Sequence, residues 1–184
     1  MQPIPAESLP RMSVEEYLSY EQQNDIRHEL VDGYLYAMTG ASDRHEEIAG
    51  NLFAALHAHL RSTPCRVYSS NLKIRVENNF YYPDIFVRCE SSRGDPYYKT
   101  DPVLIVEVLS PNTQRYDRGD KRLAYQQLAT LQEYILISQD EVKIEVYRRK
   151  NTWQTEILKE NDQLQLQSVD FICPVPQLYE AVSG

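Results

Sequence analysis

The sequence predicts an α+β fold: a central mixed β-sheet with an N-terminal hairpin, flanked by two main helices. Three observations predict it: a helical pattern of apolar residues near 43–62, a run of β-type segments over 66–108, and a second helical pattern followed by further strands. This order is not the strict alternation of a doubly wound parallel sheet. With 184 residues, 42% apolar and 25% charged, the chain has the composition of one globular domain over 1–184.

The N-terminal third predicts a short helix, a hairpin and a long helix. After an extension over 1–10, Ser13 and Glu16 fit a capping box that starts a helix ending near Tyr20. Strands over 28–31 and 34–37 flank Asp32-Gly33, a dipeptide that tolerates the positive φ of a hairpin turn. The next helix has Ser42 as its expected N-cap and ends at Ser62-Thr63-Pro64. Its apolar residues recur at helical spacing: Ile48, Ala49, Leu52, Phe53, Leu56 and Leu60.

The rest of the chain predicts strands around one further helix. The first four strands are expected over 67–69, 72–76, 81–88 and 102–108, and their succession favours a meander. A helix is expected over about 117–129, where Ala124, Tyr125, Leu128 and Leu131 form an apolar stripe. Later elements are a strand over 133–137, a hairpin of 142–147 with 153–157, and a tail over 174–184 with one last helical turn.

The cysteines and the chain start predict a cytoplasmic protein. Cys65, Cys89 and Cys173 include no CxxC pair, so we expect free thiols and a reducing compartment. The N-terminus lacks the basic start and apolar core of a secretory signal, and the apolar runs are too short for a membrane span.

The net charge of the chain does not predict a polyanionic partner such as DNA. Lys and Arg number 19 against 27 Asp and Glu, a formal net charge of −8. A few basic groupings could approach phosphate, and such groups are usually solvated surface: Lys73 with Arg75, Arg115 with Arg118 and Arg122, and the run 148–150.

Two carboxylates in apolar strands are the first candidates for chemistry. Glu107 lies in the run VLIVEVL, where an unpaired charge is costly or titrates until it is neutral. If residues 90–101 form the loop of a symmetric hairpin, Asp84 is its cross-strand partner, with Cβ atoms about 5 Å apart. Two such acids repel unless one is protonated or a cation lies between them. Mg²⁺, for which Mn²⁺ can substitute, suits one or two carboxylates. The alternative is that Glu107 pairs with a core Arg or Lys.

Lys121 is the third candidate. It precedes Ala124, Tyr125 and Leu128 by three, four and seven residues, so it lies on the inward stripe of its helix. A buried ammonium needs nearby anions, and the two carboxylates are the nearest candidates. Beside a metal-bound water, a lysine can orient the nucleophile and stabilise charge on a phosphorane. The alternatives are a stem that reaches solvent and an i,i+4 pair with Asp117.

One of His45, Glu46 and Glu47 could supply a further ligand or an outer contact to the ion, and Glu29 is a candidate for an outer contact only. His45 points inward at the start of the long helix, Glu46 follows it, and Glu29 lies between apolar neighbours in the first strand. A histidine satisfied in the core is an equal alternative for His45. His57 and His59 are two residues apart and cannot share a helix face, so a zinc pair is not expected there.

In order, these residues resemble the PD-(D/E)XK nuclease superfamily, with Pro83-Asp84 followed by Glu107 on the next strand. The sequence is most similar to its bacterial Uma-type restriction endonuclease branch, over about residues 11–180. Position 109 departs from the superfamily pattern, being Leu rather than Lys, and Lys121 on the following helix takes the place of that lysine. The shared motifs are HELVDG at 28–33, His45, YPDIFV at 82–87, VEVLSP at 106–111, the Asp117, Lys121 and Tyr125 helix, and EYILI at 133–137.

This resemblance implies a restriction-endonuclease-like fold and Mg²⁺-dependent hydrolysis of phosphodiester bonds in DNA. Asp84 and Glu107 would be metal ligands, and Lys121 would lie near the attacking water. A homodimer is expected, because nucleases that cut both strands commonly act as two-fold dimers. Tyr97-Tyr98 could stack on bases or fill a subunit interface.

Two other functions stay open at this point. One is a catalytically silent binding or assembly module on the same fold, which the charge of −8 supports. The other is a glycosidase that uses Asp84 and Glu107 as acid and nucleophile, which suits their spacing but leaves Lys121 unexplained.

Overall fold

Two sheets and a separate two-stranded ribbon carry the fold in this computed structural model, which describes residues 11–89 and 94–182. The predicted extension over 1–10 and part of the loop predicted over 90–101 lie outside the described residues. In chain order the helices and strands are α1 (Val14–Glu21), β1 (His28–Val31), β2 (Tyr34–Ala37), α2 (Asp43–His59), β3 (Arg66–Ser69), β4 (Lys73–Val76), β5 (Asn79–Tyr81), β6 (Ile85–Arg88), β7 (Tyr98–Lys99), β8 (Leu104–Leu109), α3 (Gln114–Tyr116), a π-helical turn (Asp117–Lys121), α4 (Arg122–Gln126), β9 (Glu133–Ser138), β10 (Lys143–Arg148), β11 (Thr155–Lys159), β12 (Gln163–Leu166), β13 (Phe171–Pro174) and α5 (Val175–Leu178).

The central sheet has six strands in the order β11-β10-β9-β8-β6-β3. Its pairs are antiparallel except β8 with β9, which run parallel, so the predicted mixed sheet is confirmed. A second sheet has the order β2-β1-β5-β4-β7, and β12 pairs with β13. The predicted meander is wrong. The chain leaves the second sheet after β5 and enters the central sheet at β6, so neighbouring strands in sequence belong to different sheets.

Local signals at the N-terminus act as predicted. Ser13 Oγ accepts from the Glu16 amide and the Glu16 carboxylate accepts from the Ser13 amide, a complete capping box. Asp32 and Gly33 have φ of 52° and 85°, which the hairpin turn requires. Ser42 caps α2 by accepting from the His45 amide at 3.2 Å. These caps and turns fix where β1, β2 and α2 begin, and therefore where Glu29 and His45 lie.

Two apolar layers hold the central sheet. On one face, Ile48, Leu52 and Leu56 of α2 pack with the C-terminal hairpin and α5 against alternate residues of the sheet, such as Val106. On the other face, Ile105 and its neighbours pack against the second sheet and α4. The segment predicted as a tail is part of the first layer, since Val175 and Leu178 of α5 are buried.

The helix predicted over about 117–129 begins three residues earlier, ends three residues earlier and is interrupted. It is made of α3, the π-helical turn and α4, and it ends at Gln126. Gly119 has φ −105° and ψ −106°, outside the helical region, and it lies within the π-helical turn. β7, β12 and β13 were not predicted from the sequence; β7 has only two residues, and β12 and β13 have four each.

The predicted free thiols are wrong for two of the three cysteines. Cys65 and Cys89 form a disulfide. The physical reason is the pairing of β3 with β6: Arg66 lies opposite Arg88, so the flanking cysteines also face each other. Cys173 is a free, buried thiol, as predicted.

Within 11–89 and 94–182, none of the helices has both the length and the apolar character that crossing a bilayer would need.

Candidate active site

A cavity of about 520 Å³ lies between the N-terminal hairpin and the turn that follows β8. The hairpin and the loop after it supply one wall, and the start of α2, the start of β6 and the 110–121 segment supply the others. Six of the candidate side chains named from the sequence line this cavity: Glu29, His45, Glu46, Asp84, Glu107 and Lys121.

Asp84 and Glu107 face each other as the sequence predicts. Ile85 pairs with Val106, and Phe86 with Ile105, so the register places Asp84, one residue before β6, opposite Glu107. The Asp84 amide donates to Glu107 Oε2 at 3.3 Å. The predicted cross-strand pairing is therefore confirmed, although residues 90–93 of the loop are not described.

The Asp84 carboxylate is held from two sides. Its Oδ2 accepts from the Val108 amide at 2.7 Å and lies 3.1 Å from His45 Nε2. Burial alone would lower the pKa of His45, but the hydrogen bond and charge of Asp84 outweigh it and the pKa is raised. Glu46 is more remote: its side chain is 67% exposed and its Oε1 lies 3.6 Å from His45 Nδ1. His45 thus orients Asp84 from the first turn of α2.

Lys121 lies among carboxylates at the bottom of the cavity. Its Nζ is 3.0 Å from Glu107 Oε1, 3.1 Å from Glu29 Oε1 and 4.0 Å from Asp117 Oδ1. The side chain is only 7% exposed, so the alternative of a stem reaching solvent is wrong. The alternative in which Glu107 pairs with a core lysine is realised, and that lysine is Lys121. Lys121 lies two residues after Gly119, where the helix is kinked.

Two contacts go beyond what the sequence reveals. Glu29, expected only as an outer contact, binds Lys121 and also accepts from the Tyr82 amide at 2.9 Å. The hairpin brings it there because Leu30 of β1 pairs with Phe80 of β5, a contact between distant segments. Tyr125 donates to Glu107 Oε1 at 3.2 Å. Tyr125 lies four residues after Lys121 on the inward stripe of the helix, and this spacing is the sequence signal that could have identified it as a site residue.

Carboxylates outnumber cations in this cluster. Burial, reinforced by Asp84 and Asp117, raises the pKa of Glu107 well above its usual value despite Lys121. Burial likewise raises the pKa of Asp117. Burial would lower the pKa of Lys121, but the surrounding carboxylates, Glu107 and Glu29 first, outweigh it and raise that pKa. The cavity therefore favours an added cation.

The facing carboxylates of Asp84 and Glu107 are oxygen donors of the kind that a hard divalent cation takes. Among the described residues, no group of three or more His, Cys, Asp or Glu side chains is placed to hold a metal. Asp84 and Glu107 would supply two carboxylates, and Mg²⁺ commonly takes one or two together with water and substrate phosphate. His59 contacts the Val169 carbonyl oxygen at 2.9 Å and His57 stacks on Phe53, so neither is arranged as a zinc ligand.

Leu109 occupies the position at which the nuclease pattern named in the sequence analysis has a lysine. Leu109 is 4% exposed and belongs to the apolar layer under α4. An ammonium there would displace packing among Tyr125 and Leu136, which contact the same layer. Lys121 reaches Glu107 from the opposite element instead.

Comparison with known proteins gives a consistent family and fold. The model of the Uma2 family, described as "Putative restriction endonuclease", matches residues 14–175. A Synechocystis sp. PCC 6803 protein designated slr1290 is 36% identical over 184 residues, covering 97% of each chain. A second protein of that organism, sll1609, is 28% identical over 84% of this chain and 92% of its own.

A crystal structure from Anabaena variabilis, titled as a putative nuclease belonging to DUF820, superposes with a TM-score of 0.78. It covers 94% of this chain and 99% of its own at 18% identity, which shows a shared fold. The predicted restriction-endonuclease-like α+β fold is thus confirmed. Because the family model spans nearly all of the described residues, the chain belongs to the Uma2 family.

Proposed function

We propose that this chain is an endonuclease that hydrolyses phosphodiester bonds of DNA and requires Mg²⁺ or Mn²⁺. One observation carries the proposal: Asp84, Glu107 and Lys121, drawn from three elements, converge in one cavity, with Lys121 Nζ 3.0 Å from Glu107 Oε1. Membership in a family of restriction endonucleases agrees with a nucleic acid substrate.

Asp84 and Glu107 would hold the divalent cation. When bound, the ion supplies Lewis acidity toward the phosphate and lowers the pKa of a bound water. The protein contributes fixed geometry: the Val108 amide and His45 hold Asp84, and Tyr125 holds Glu107. These contacts limit the rotamers of both carboxylates before substrate arrives.

Lys121 would act on the substrate itself. Its ammonium has three donors, and the two carboxylates leave at least one for an attacking water or a phosphate oxygen. A charge fixed in a recessed site stabilises negative charge on the transition state more than a solvated lysine would. Lys121 thereby combines positioning of the nucleophile with charge stabilisation.

A second candidate function is a catalytically silent binding or assembly module. It is favoured because several cations that could approach phosphate are paired with other side chains of the protein. Of the basic groupings, Lys73 is buried and donates to Tyr82, Arg118 pairs with Glu145, and Arg148 is buried against Glu133. These cations are engaged inside the protein, which leaves fewer for phosphate.

Plasmid nicking separates the two functions. We expect purified wild type to convert supercoiled DNA to open circles with Mg²⁺ or Mn²⁺, and Asp84→Ala to lose at least about a hundredfold of that rate. Glu160→Ala, which removes an exposed carboxylate in the turn before β12, is the matched control and keeps the wild-type rate. Equal rates for wild type and Asp84→Ala would mean contaminating nuclease and would refute the proposal.

We also propose a homodimer, since double-strand cleavage commonly uses two sites related by a two-fold axis. Light scattering at the assay concentration tests this, and a monomer would refute it.

A further inference from the structure

The position of Lys121 suggests what happens to the cluster when a cation enters. Its ammonium bridges two carboxylates at nearly equal distances, 3.0 Å to Glu107 and 3.1 Å to Glu29. Glu107 is a proposed metal ligand, whereas Glu29 lies on the hairpin. A divalent cation would therefore compete with Lys121 for Glu107 but not for Glu29.

Glu29 is anchored independently of the metal ligands. Its Oε1 accepts from the Tyr82 amide at 2.9 Å, and its side chain is 11% exposed, so it cannot easily turn to solvent. Asp117 is a poorer second partner, because its Oδ1 lies 4.0 Å from Lys121 Nζ. If Glu107 is drawn to a cation, Glu29 is the carboxylate left to hold the ammonium.

Charge balance gives the reason for such an arrangement. A buried ammonium that loses its carboxylate partner is strongly disfavoured, and so is a buried carboxylate without a cation. Two carboxylates on one lysine let Glu107 exchange partners while Lys121 stays paired. Lys121 then remains charged and fixed beside the place where substrate is expected.

We propose that Lys121 acts as a built-in cation on Glu107 in the metal-free protein, and that Glu29 is the positioning residue that retains Lys121 once Glu107 binds a divalent cation. This inference rests on the proposed function, because it takes Asp84 and Glu107 as the metal ligands. It assigns the N-terminal hairpin a part in the site.

The test is a double-mutant cycle read by Mn²⁺ affinity alone, without DNA. Isothermal titration of the full chain with Mn²⁺ compares wild type, Lys121→Met, Glu29→Gln and the double variant. Lys121→Met removes the competitor for Glu107 and should tighten Mn²⁺ binding by about fivefold or more. Glu29→Gln leaves Lys121 entirely on Glu107 and should weaken binding by about the same factor.

The double variant decides between coupling and a simple field effect. Because Glu29 acts through Lys121, Glu29→Gln should change little in the Lys121→Met background. If it weakens binding equally in both backgrounds, Glu29 acts through space or as a direct ligand, and the inference is wrong. It is equally wrong if Lys121→Met leaves the affinity unchanged or lowers it. Should Lys121→Met fail to fold by circular dichroism, Lys121→Gln replaces it, since its amide keeps hydrogen bonds without the charge.

Asp84→Ala separates failure of this inference from failure of the proposed function. If Mn²⁺ binding is absent, or does not depend on Asp84, the metal site itself is refuted and the inference falls with it. If binding depends on Asp84 but the Glu29 and Lys121 cycle shows no coupling, only the inference is refuted.

Discussion

Two buried ion clusters in this protein differ in how their charges are matched. The Arg148 cluster, made of Arg148, Glu133 and Glu156, is saturated: its one buried carboxylate, Glu133, is matched by Arg148, and its second carboxylate, Glu156, is 48% exposed to solvent. Arg148 Nε donates to Glu133 Oε1 at 2.9 Å and Nη2 to the Gln165 carbonyl at 2.8 Å, while Nη1 pairs with Glu156. The other Glu133 oxygen accepts from the amide and hydroxyl of Ser168 at 2.8 and 2.6 Å.

The cavity cluster is not matched in this way. Glu29, Asp84, Glu107 and Asp117 share one ammonium and one imidazole, and burial raises the pKa of Glu107 and Asp117. Buried charges that are fully paired and hydrogen-bonded are compensated within the protein. An excess of buried carboxylates destabilises the fold and is typical of functional sites. An excess of buried carboxylates over cations, more than burial itself, therefore distinguishes the candidate active site from the Arg148 cluster.

The largest expected effect is in the saturated cluster. Glu133→Gln leaves Arg148 buried with a weakened partner and should lower the free energy of unfolding by about 3 kcal/mol. Urea unfolding measures it. Glu141→Gln, which removes the exposed partner of Lys143, is the control and should cost less than about 1 kcal/mol. A loss for Glu133→Gln as small as the control's would erase the distinction between the clusters.

In the cavity cluster, neutralisation should stabilise. Asp117→Asn removes a buried negative charge and is expected to raise the free energy of unfolding by about 1 kcal/mol at neutral pH. Asp120→Asn changes an exposed carboxylate of the same segment and should stay within about 0.5 kcal/mol. A destabilised Asp117→Asn would show that this carboxylate is as well paired as Glu133.

The pH dependence of Asp117→Asn has a definite sign. Because the folded-state pKa of Asp117 is raised, the contribution of this carboxyl to stability is highest below the ordinary aspartate pKa and is lost as pH rises through the folded value. The gain from Asp117→Asn should therefore be absent in acid and grow as pH rises. Unfolding curves collected from acid to neutral pH test it, and a gain that shrinks with pH would contradict the raised pKa.

The smallest expected effect on stability concerns Cys173, a buried free thiol. Burial alone raises its pKa to about 11 from an ordinary 9.0, so it stays neutral and costs nothing at pH 7. Stability should fall only as pH rises from about 9 toward 11. In the native, non-reduced chain at pH 8, iodoacetamide should label Cys173 more than about tenfold slower than in the denatured chain.

The same labelling tests the disulfide. The denatured, non-reduced chain should take up one label and the reduced chain three, because Cys65 and Cys89 are paired. Three labels without reduction would restore the free thiols that the sequence predicts.

The sequence reveals the parts of the site that depend on local pattern. Glu107 is conspicuous in an apolar strand, Lys121 has helical spacing to Tyr125, and a hairpin register places Asp84 opposite Glu107. Ser42 likewise predicts, as an N-cap residue, the start of the helix that carries His45.

The parts that the sequence conceals depend on contacts between distant segments. Glu29 reaches Lys121 only because β1 pairs with β5, and the cysteines meet only because β3 pairs with β6. The meander fails for the same reason: between β5 and β6 the chain changes sheets, and no residue pattern states which sheet a short strand joins.

The most direct test of the metal site is anomalous scattering from crystals soaked in Mn²⁺. We predict a peak within coordination distance of one oxygen of Asp84 and one of Glu107, and its loss in Asp84→Ala crystals. A peak elsewhere, or well-ordered carboxylates with no peak between them at saturating Mn²⁺, would contradict the account.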